Sequence, residues 1–281
     1  IRTVLAIPTT VMLRDEYFNM RVADDLFLMG DYREHMWNTI LSSRLKNPEY
    51  KYSDLGFYIF QRILEEYHRV PLDTFLEETF YHPLNLPTLT YRPRSRFPLE
   101  RIVPTEYDRV FRKQLIHGDV HDPGAAMMGG VGGHAGLFAN ANDVGIIMQM
   151  LLNGGEYGGE RFIKEATVKY FTSRHDPNSR RGLGFDKPEP DPDKGNPVDD
   201  IVPVEAFGHS GFTGTYAWAD PKHQVVYIFL SNRVHPDMAN YKLVRTGVRS
   251  RIHKVIYEAI DKGYSPEDSA VYHLYDPPFG Q

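Results

Sequence analysis

Phe207-Gly-His-Ser-Gly-Phe-Thr-Gly-Thr-Tyr216 is the stretch on which the reading of this 281-residue chain turns. Three glycines, a histidine and three hydroxyl side chains stand here between two runs of strand character. A plain hairpin needs one Gly-rich turn, whereas this backbone is kept bare along its length. Glycine lets another molecule come close to the main chain. The stretch therefore reads either as one wall of an active site or as a tight hairpin with a solvated histidine.

Working outward, Tyr216-Ala-Trp-Ala219 and Val225-Val-Tyr-Ile-Phe-Leu230 read as antiparallel strands joined by a turn at Asp220-Pro-Lys-His223. The second is apolar on both faces, which predicts cover on both sides. An amphipathic helix is expected over about 241–261, burying Val244, Val248, Ile252, Val255 and Ala259 and stopping at Gly263. Upstream, 186–203 is polar and Pro-rich and reads as an exposed insertion. Helices are expected at 163–172 and, capped by Asn142-Asp143, through Val144, Ile147, Met148 and Leu151. Leu55, Ile59, Ile63 and Tyr67 recur every fourth residue behind a Ser53 or Asp54 cap, and another helix starts at Pro71. Helical spacing is also read through Val22, Leu26, Met36, Ile40 and Leu41, broken near Gly30, and Ile1–Ala6 reads as a helix end. Helices in the middle, then strands, then one helix give an α+β chain. It is taken as one domain over 1–281: a helical and loop part over about 8–175, the insertion over 186–203, and sheet with last helix over about 204–263.

Composition narrows the function classes. With 41% hydrophobic and 25% charged residues the chain can build a large core. A net charge of −5 argues against nucleic acid as a partner. No apolar run reaches the roughly 18 residues of a membrane span. The absence of Cys excludes disulfides, thiolate metal sites and a cysteine nucleophile.

Three further constellations could carry chemistry. Tyr52-Ser53-Asp54 stands at a helix mouth, where the phenol faces a cleft or simply packs ahead of a cap. A tyrosine serves as general base only if nearby cations pull its pKa down from about 10. Gly129-Gly-Val-Gly-Gly-His-Ala-Gly136 lacks the Gly-Lys-Ser/Thr ending and the preceding strand of a phosphate cradle. His117 and His121 have the spacing of a zinc helix, but Gly118 lies between them and no Glu-x-x-His pattern accompanies them. Structural hydrogen bonding is the expected role of these histidines, and no metal or other cofactor is expected.

Taken together, these segments resemble the serine β-lactamase-related and penicillin-binding-like hydrolases, the group of class C β-lactamases, D-peptidases and esterases. Phe207-Gly-His-Ser-Gly-Phe-Thr-Gly214 resembles the family's Lys/His-Thr/Ser-Gly strand, and Tyr52-Ser-Asp54 its Tyr-x-Asn element. Gly118-Asp-Val-His-Asp122, Gly132-Gly-His-Ala-Gly-Leu-Phe138, Trp218-x-Asp220-Pro221 and Leu230-Ser-Asn-Arg-Val-His-Pro236 follow in family order. The resemblance implies a β-lactamase/transpeptidase-like fold, an antiparallel sheet flanked by helices with a helical subdomain. It implies an acyl-enzyme formed by a Ser-x-x-Lys serine. Tyr52 would carry the proton, Asp54 would contact the substrate amide, and His209 with Ser210, Gly211 and Thr213 would hold its carboxylate. The Phe212 N–H would serve the oxyanion hole.

Two departures from the family pattern stand out. Asp54 replaces the commoner Asn, and the one Ser-x-x-Lys match, Ser43-Arg-Leu-Lys46, lies only six residues before Tyr52 and reads as a chance match. Because Ile1-Arg-Thr-Val-Leu5 resembles the helix after the nucleophile helix, the first strands and the serine are expected before Ile1. The resemblance further implies a small-molecule or peptide substrate derived from the cell wall, a periplasmic or extracellular location, and kinship with a subgroup often fused to a glycoside hydrolase family three domain. A catalytically inactive binding module of the same fold is the second hypothesis, and a metal hydrolase using His117 and His121 the third.

Overall fold

The computed structural model describes residues 10–11, 16–44 and 50–263. Expectations that fall on 1–9 and 45–49 therefore lie outside the described residues. Its first feature is a hairpin where helix was expected. Phe18–Ala23 (β2) and Leu26–Met29 (β3) pair around Asp24 and Asp25, and Thr10–Val11 (β1) adds to β3. Leu26 and Leu28 are buried while Phe27 and Met29 are only half-buried, a period of two that no helix can produce. Helix begins after Gly30, at α1 (Tyr32–Ser42), which buries Tyr32 and Met36.

Helix α2 (Leu55–His68) starts where expected, with the Leu55 N–H donating to Ser53 Oγ at 3.2 Å. Its buried face differs from the expected stripe: Tyr58 and Gln61 point inward while Ile59, Ile63 and Tyr67 are exposed. Polar demand selects this face. Gln61 accepts from the Gly133 N–H at 3.0 Å and donates to the Val131 carbonyl at 3.3 Å, so a Gly-rich loop obtains the partners its buried backbone needs.

After Pro71, α3 (Leu72–Leu76) runs on into a wider turn ending at Tyr81. Short strands follow: β4 (Thr90–Tyr91), β5 (Pro104–Tyr107), β6 (Leu115–His117) and β7 (Leu137–Phe138), with β4 paired to β7 and β5 to β6. Between β6 and β7, α4 (Pro123–Met127) is capped by Asp122, which accepts from the Ala125 N–H at 2.7 Å. The cap of α5 (Ala141–Leu152) is Asn140, not the expected Asn142-Asp143. Asp143 is instead buried and accepts from the Thr88 N–H and hydroxyl, each at 2.7 Å. A hairpin of β8 (Glu156–Tyr157) and β9 (Glu160–Arg161) leads to α6 (Glu165–Thr172).

The sheet that matters is β10 (Phe207–Ser210), β11 (Tyr216–Asp220) and β12 (Val225–Phe229), antiparallel in that order, with His209 opposite Ala217 and Ser210 opposite Tyr216. One face meets α5 through Met148 and Leu152 against Phe207 and Ala219. The other packs Tyr216, Trp218 and Tyr227 on Tyr257 of the last helix. Within β12 only Tyr227 is fully buried, so its expected cover is incomplete.

The last helix is in two pieces, α7 (Lys242–Arg245) and α8 (Val248–Asp261), parted at Gly247 with φ +60°. It buries His253 and Tyr257, whereas Val244, Ile252 and Val255 of the expected stripe are exposed. The 186–203 segment holds no helix or strand, but it is not simply exposed. Val198 and Val202 are buried in the cluster under Trp218, and Asp186 exchanges two backbone hydrogen bonds with Gly208 at 2.7 and 3.0 Å. Among the described residues no helix is long and apolar enough to cross a membrane.

Candidate active site

Tyr52 stands just ahead of α2 and His209 lies on β10, yet their ring centroids are 6.2 Å apart. A third residue joins them. Arg181, in the loop after α6, lays its guanidinium carbon 4.8 Å from the centre of the Tyr52 ring and brings Nη1 to 3.0 Å from His209 Nε2. Its Nη2 is 3.4 Å from Asp186 Oδ2. Arg180 holds the same carboxylate with two bonds at 2.6 and 3.1 Å. Since Asp186 is paired to the Gly208 backbone, the arginine pair is tied to the strand that carries His209.

The phenol of Tyr52 is half-exposed, and its pKa lies above the ordinary tyrosine value. Burial is the main cause, the Asp54 carboxylate adds to it, and Arg181 pulls the other way. Desolvation and a like charge both disfavour phenolate. Tyr52 is therefore a protonated phenol at neutral pH, the opposite of what a resting general base requires. Asp54 occupies the N-cap position of α2 without a side-chain cap bond, its carbonyl accepting from the Phe57 N–H at 2.9 Å.

Ser210 ends β10, Gly211, Phe212 and Thr213 form the turn out of it, and this turn is held from behind. The Arg233 N–H donates to the Thr213 carbonyl at 2.8 Å, Arg233 Nε–H to the Phe212 carbonyl at 2.9 Å, and the Ser231 hydroxyl to the Gly214 carbonyl at 2.9 Å. Two glycines are required sterically. A Cβ on Gly208 would strike the Ala217 carbonyl and come within 2.6 Å of the Trp218 ring, and Gly214 has φ +115°. The Phe212 ring sits between the Arg233 guanidinium, 4.6 Å away, and the His121 ring, 5.1 Å away.

The other candidates separate from this cluster. His117 ends strand β6 and sets Nε2 2.6 Å from the Ile102 carbonyl, so it shares no helix face with His121. His121 faces the buried Glu106, with Nε2 3.2 Å from Oε1, and burial lowers its pKa. Among the described residues no group of three or more His, Cys, Asp or Glu is arranged to hold a metal ion. His134 binds Asp122 at 2.8 Å and stacks on Tyr58 at 4.4 Å, and the Gly-rich run beside it clasps α2. Ser43 closes the end of α1, its hydroxyl donating to the Ile40 carbonyl at 2.6 Å, and Lys46 lies outside the described residues. The residues that sequence reasoning missed are Arg181 and Asp186. The one local signal was two consecutive arginines before Gly182-Leu-Gly-Phe185.

Comparison with known proteins identifies the family. The beta-lactamase family profile matches residues 17–246, from just before β2 to just after α7. A protein of Salmonella heidelberg named "Putative D-alanyl-D-alanine carboxypeptidase" is 33% identical over 254 residues, covering 81% of this chain and 56% of that protein. The chain thus spans little more than half the length of the curated relatives it matches. Among solved structures, D-amino acid amidase from Ochrobactrum anthropi is similar with a TM-score of 0.57 at 14% identity, covering 90% of this chain and 71% of that one. A penicillin-binding protein from Bacillus halodurans is similar with a TM-score of 0.53 at 11% identity, covering 76% and 60%. At such identities the likeness concerns the fold, a mixed arrangement of helices and antiparallel strands. With that fold, and with a profile match running through both the Tyr52 and the His209 segments, the chain belongs to the β-lactamase family of serine hydrolases.

Proposed function

We propose that the protein is a serine acyl hydrolase working through an acyl-enzyme on a carboxylate-bearing amide or ester, with the D-alanyl-D-alanine ends of cell-wall peptides as its substrate class. The carrying observation is the convergence of Tyr52 and His209 under Arg181, from segments far apart in sequence. The name of the Salmonella relative supports the substrate class. Action on the cell wall implies a periplasmic or extracellular location.

In this reading the serine Oγ attacks the substrate carbonyl carbon while its proton passes to the Tyr52 oxygen, which takes it as the phenolate. The oxyanion that forms accepts from the Phe212 N–H, at a turn that Arg233 and Ser231 hold rigid. The carbon–nitrogen bond then breaks, and Tyr52 returns the proton to the leaving amine. Water repeats the sequence on the acyl-enzyme and releases the acid. Burial and Asp54 keep Tyr52 protonated, so the first transfer needs more positive charge beside the phenol than Arg181 supplies alone. A Ser-x-x-Lys lysine is the group the family resemblance implies for that task.

Labelling the full-length protein with a fluorophosphonate and mapping the modified peptide tests the reading and locates the serine. Release of D-alanine from a D-alanyl-D-alanine-terminated tripeptide is followed in parallel. A single serine adduct that blocks D-alanine release is the expected result, and a folded protein that takes no label and releases nothing overturns it. The raised pKa of Tyr52 and the carboxylate at Asp54 favour one second reading, an inactive module of the same fold. That reading expects saturable tripeptide binding without adduct or release.

A further inference from the structure

The hydrogen bonds around His209 define its chemical state. Nδ1 lies 2.9 Å from the carbonyl oxygen of Ser210, and a carbonyl can only accept. Nε2 lies 3.0 Å from Arg181 Nη1, and a guanidinium can only donate. The one ring that satisfies both carries its proton on Nδ1 and a lone pair on Nε2. The cation at this edge of the sheet is thus the guanidinium.

Pairing with Asp186 does not account for Arg181. That carboxylate already has a two-pronged partner in Arg180, at 2.6 and 3.1 Å, whereas Arg181 stands off at 3.4 Å. Arg181 keeps donors that neither His209 nor Asp186 occupies, and 21% of its side chain is open to solvent. Among the described residues, the charged and titratable groups that act on Tyr52 are Asp54, Arg181, Tyr50 and Asp186, and Arg181, which also meets His209, is the cation among them.

We propose that Arg181 binds the substrate carboxylate and, by donating to Nε2, holds His209 as a neutral Nδ1–H imidazole. The carboxylate half rests on the acyl-hydrolase reading, and the imidazole half does not. Planar, forked and permanently charged, guanidinium suits a carboxylate better than a neutral imidazole does. His209 then acts as a fixed prop that aims the guanidinium, with the Ser210 hydroxyl adding a hydrogen bond to the bound anion.

Two measurements on the full chain test this. Two-bond 1H–15N correlation of the histidine rings at pH 7, with the His209 signals assigned by their loss in His209→Asn, reads the tautomer. The wild type should show Nδ1–H, and Arg181→Met should move His209 toward Nε2–H or the imidazolium. A wild-type His209 that is imidazolium or Nε2–H overturns the assignment without any variant, and so does a spectrum unmoved in Arg181→Met. Binding of N-acetyl-D-alanine is then compared with that of its primary amide. The wild type should prefer the carboxylate by about 10- to 100-fold, the range for a charge-assisted hydrogen bond. Arg181→Met should lose that preference and Arg181→Lys should recover part of it. An unchanged preference in Arg181→Met, or none in the wild type, removes Arg181 from carboxylate binding. Failure of the acyl-hydrolase reading appears separately, as absent D-alanine release with the tautomer result intact.

Discussion

Tyr52 holds its proton more tightly than a free phenol because it is partly desolvated and faces Asp54, while the Arg181 charge opposes that shift. If it carries the proton in catalysis, Tyr52→Phe should lower kcat/KM by about 10²–10⁴-fold, the span of a lost general acid–base group. Near wild-type turnover would take Tyr52 out of the mechanism. Asp54→Asn gives a signed test of its environment. A carboxylate repels phenolate, so removing it lowers the Tyr52 pKa, and the acid limb of kcat/KM against pH should move to lower pH. A profile that does not move would show that Asp54 has no hold on Tyr52. The Tyr-x-Asp spacing was legible in the sequence because its members are neighbours. Arg181 was not, since nothing in its own surroundings says that it lies over Tyr52.

Helix α8 shows how an element can be read correctly and faced wrongly. Its apolar positions suggested one buried stripe, but the helix docks through His253 and Tyr257. Asp220, buried at the end of β11, accepts from Tyr257 Oη–H at 2.8 Å, His223 Nδ1 at 2.7 Å and the Lys222 N–H at 2.8 Å. His253 Nδ1 lies 3.2 Å from the Tyr216 hydroxyl among aromatic rings. A buried carboxylate must collect donors, so the polar face wins over Val255 and Ile252. Burial also lowers the His253 pKa from 6.5 to about 4. The unfolded chain therefore takes up this proton first as pH falls. The contribution is complete above pH 6.5 and is lost progressively down to about pH 4, a total of about 3 kcal/mol. Urea unfolding at pH 7 and pH 4.5 should show this loss, and His253→Gln should reduce it. Equal acid sensitivity in the variant would assign the loss to other groups.

For the whole molecule, the apolar faces that docking left outside are the main physical liability. Phe60 is 65% exposed and Tyr67 82% on α2, beside Ile59 and Ile63, while Val255 on α8 is 61% exposed. Among the described residues β12 pairs only with β11, so its other edge is unpaired. Contiguous apolar surface and open strand edges drive association. Residues 1–281 alone should associate in sedimentation velocity as concentration rises. Phe60→Lys combined with Val255→Lys should shift the distribution toward monomer while changing unfolding stability by no more than about 0.5 kcal/mol per site. A loss well beyond that would mean these side chains are packed in solution.

Local chemistry alone determined a good deal of this protein. Fourth-residue spacing marked α2, aromatic and β-branched runs marked β11 and β12, and the glycines at 208 and 214 already announced a backbone with no room for side chains. The ordered motifs were enough to indicate the family. Tertiary structure decided which faces of α2 and α8 turn inward and made a hairpin of residues 18–29. It alone brought Arg181 onto both Tyr52 and His209. The division has a physical cause. A hydrogen-bonding pattern or a steric limit acts between neighbours and is written locally. The choice of a buried face is a competition among all surfaces and all unpaired polar groups at once, and only the closed fold settles it.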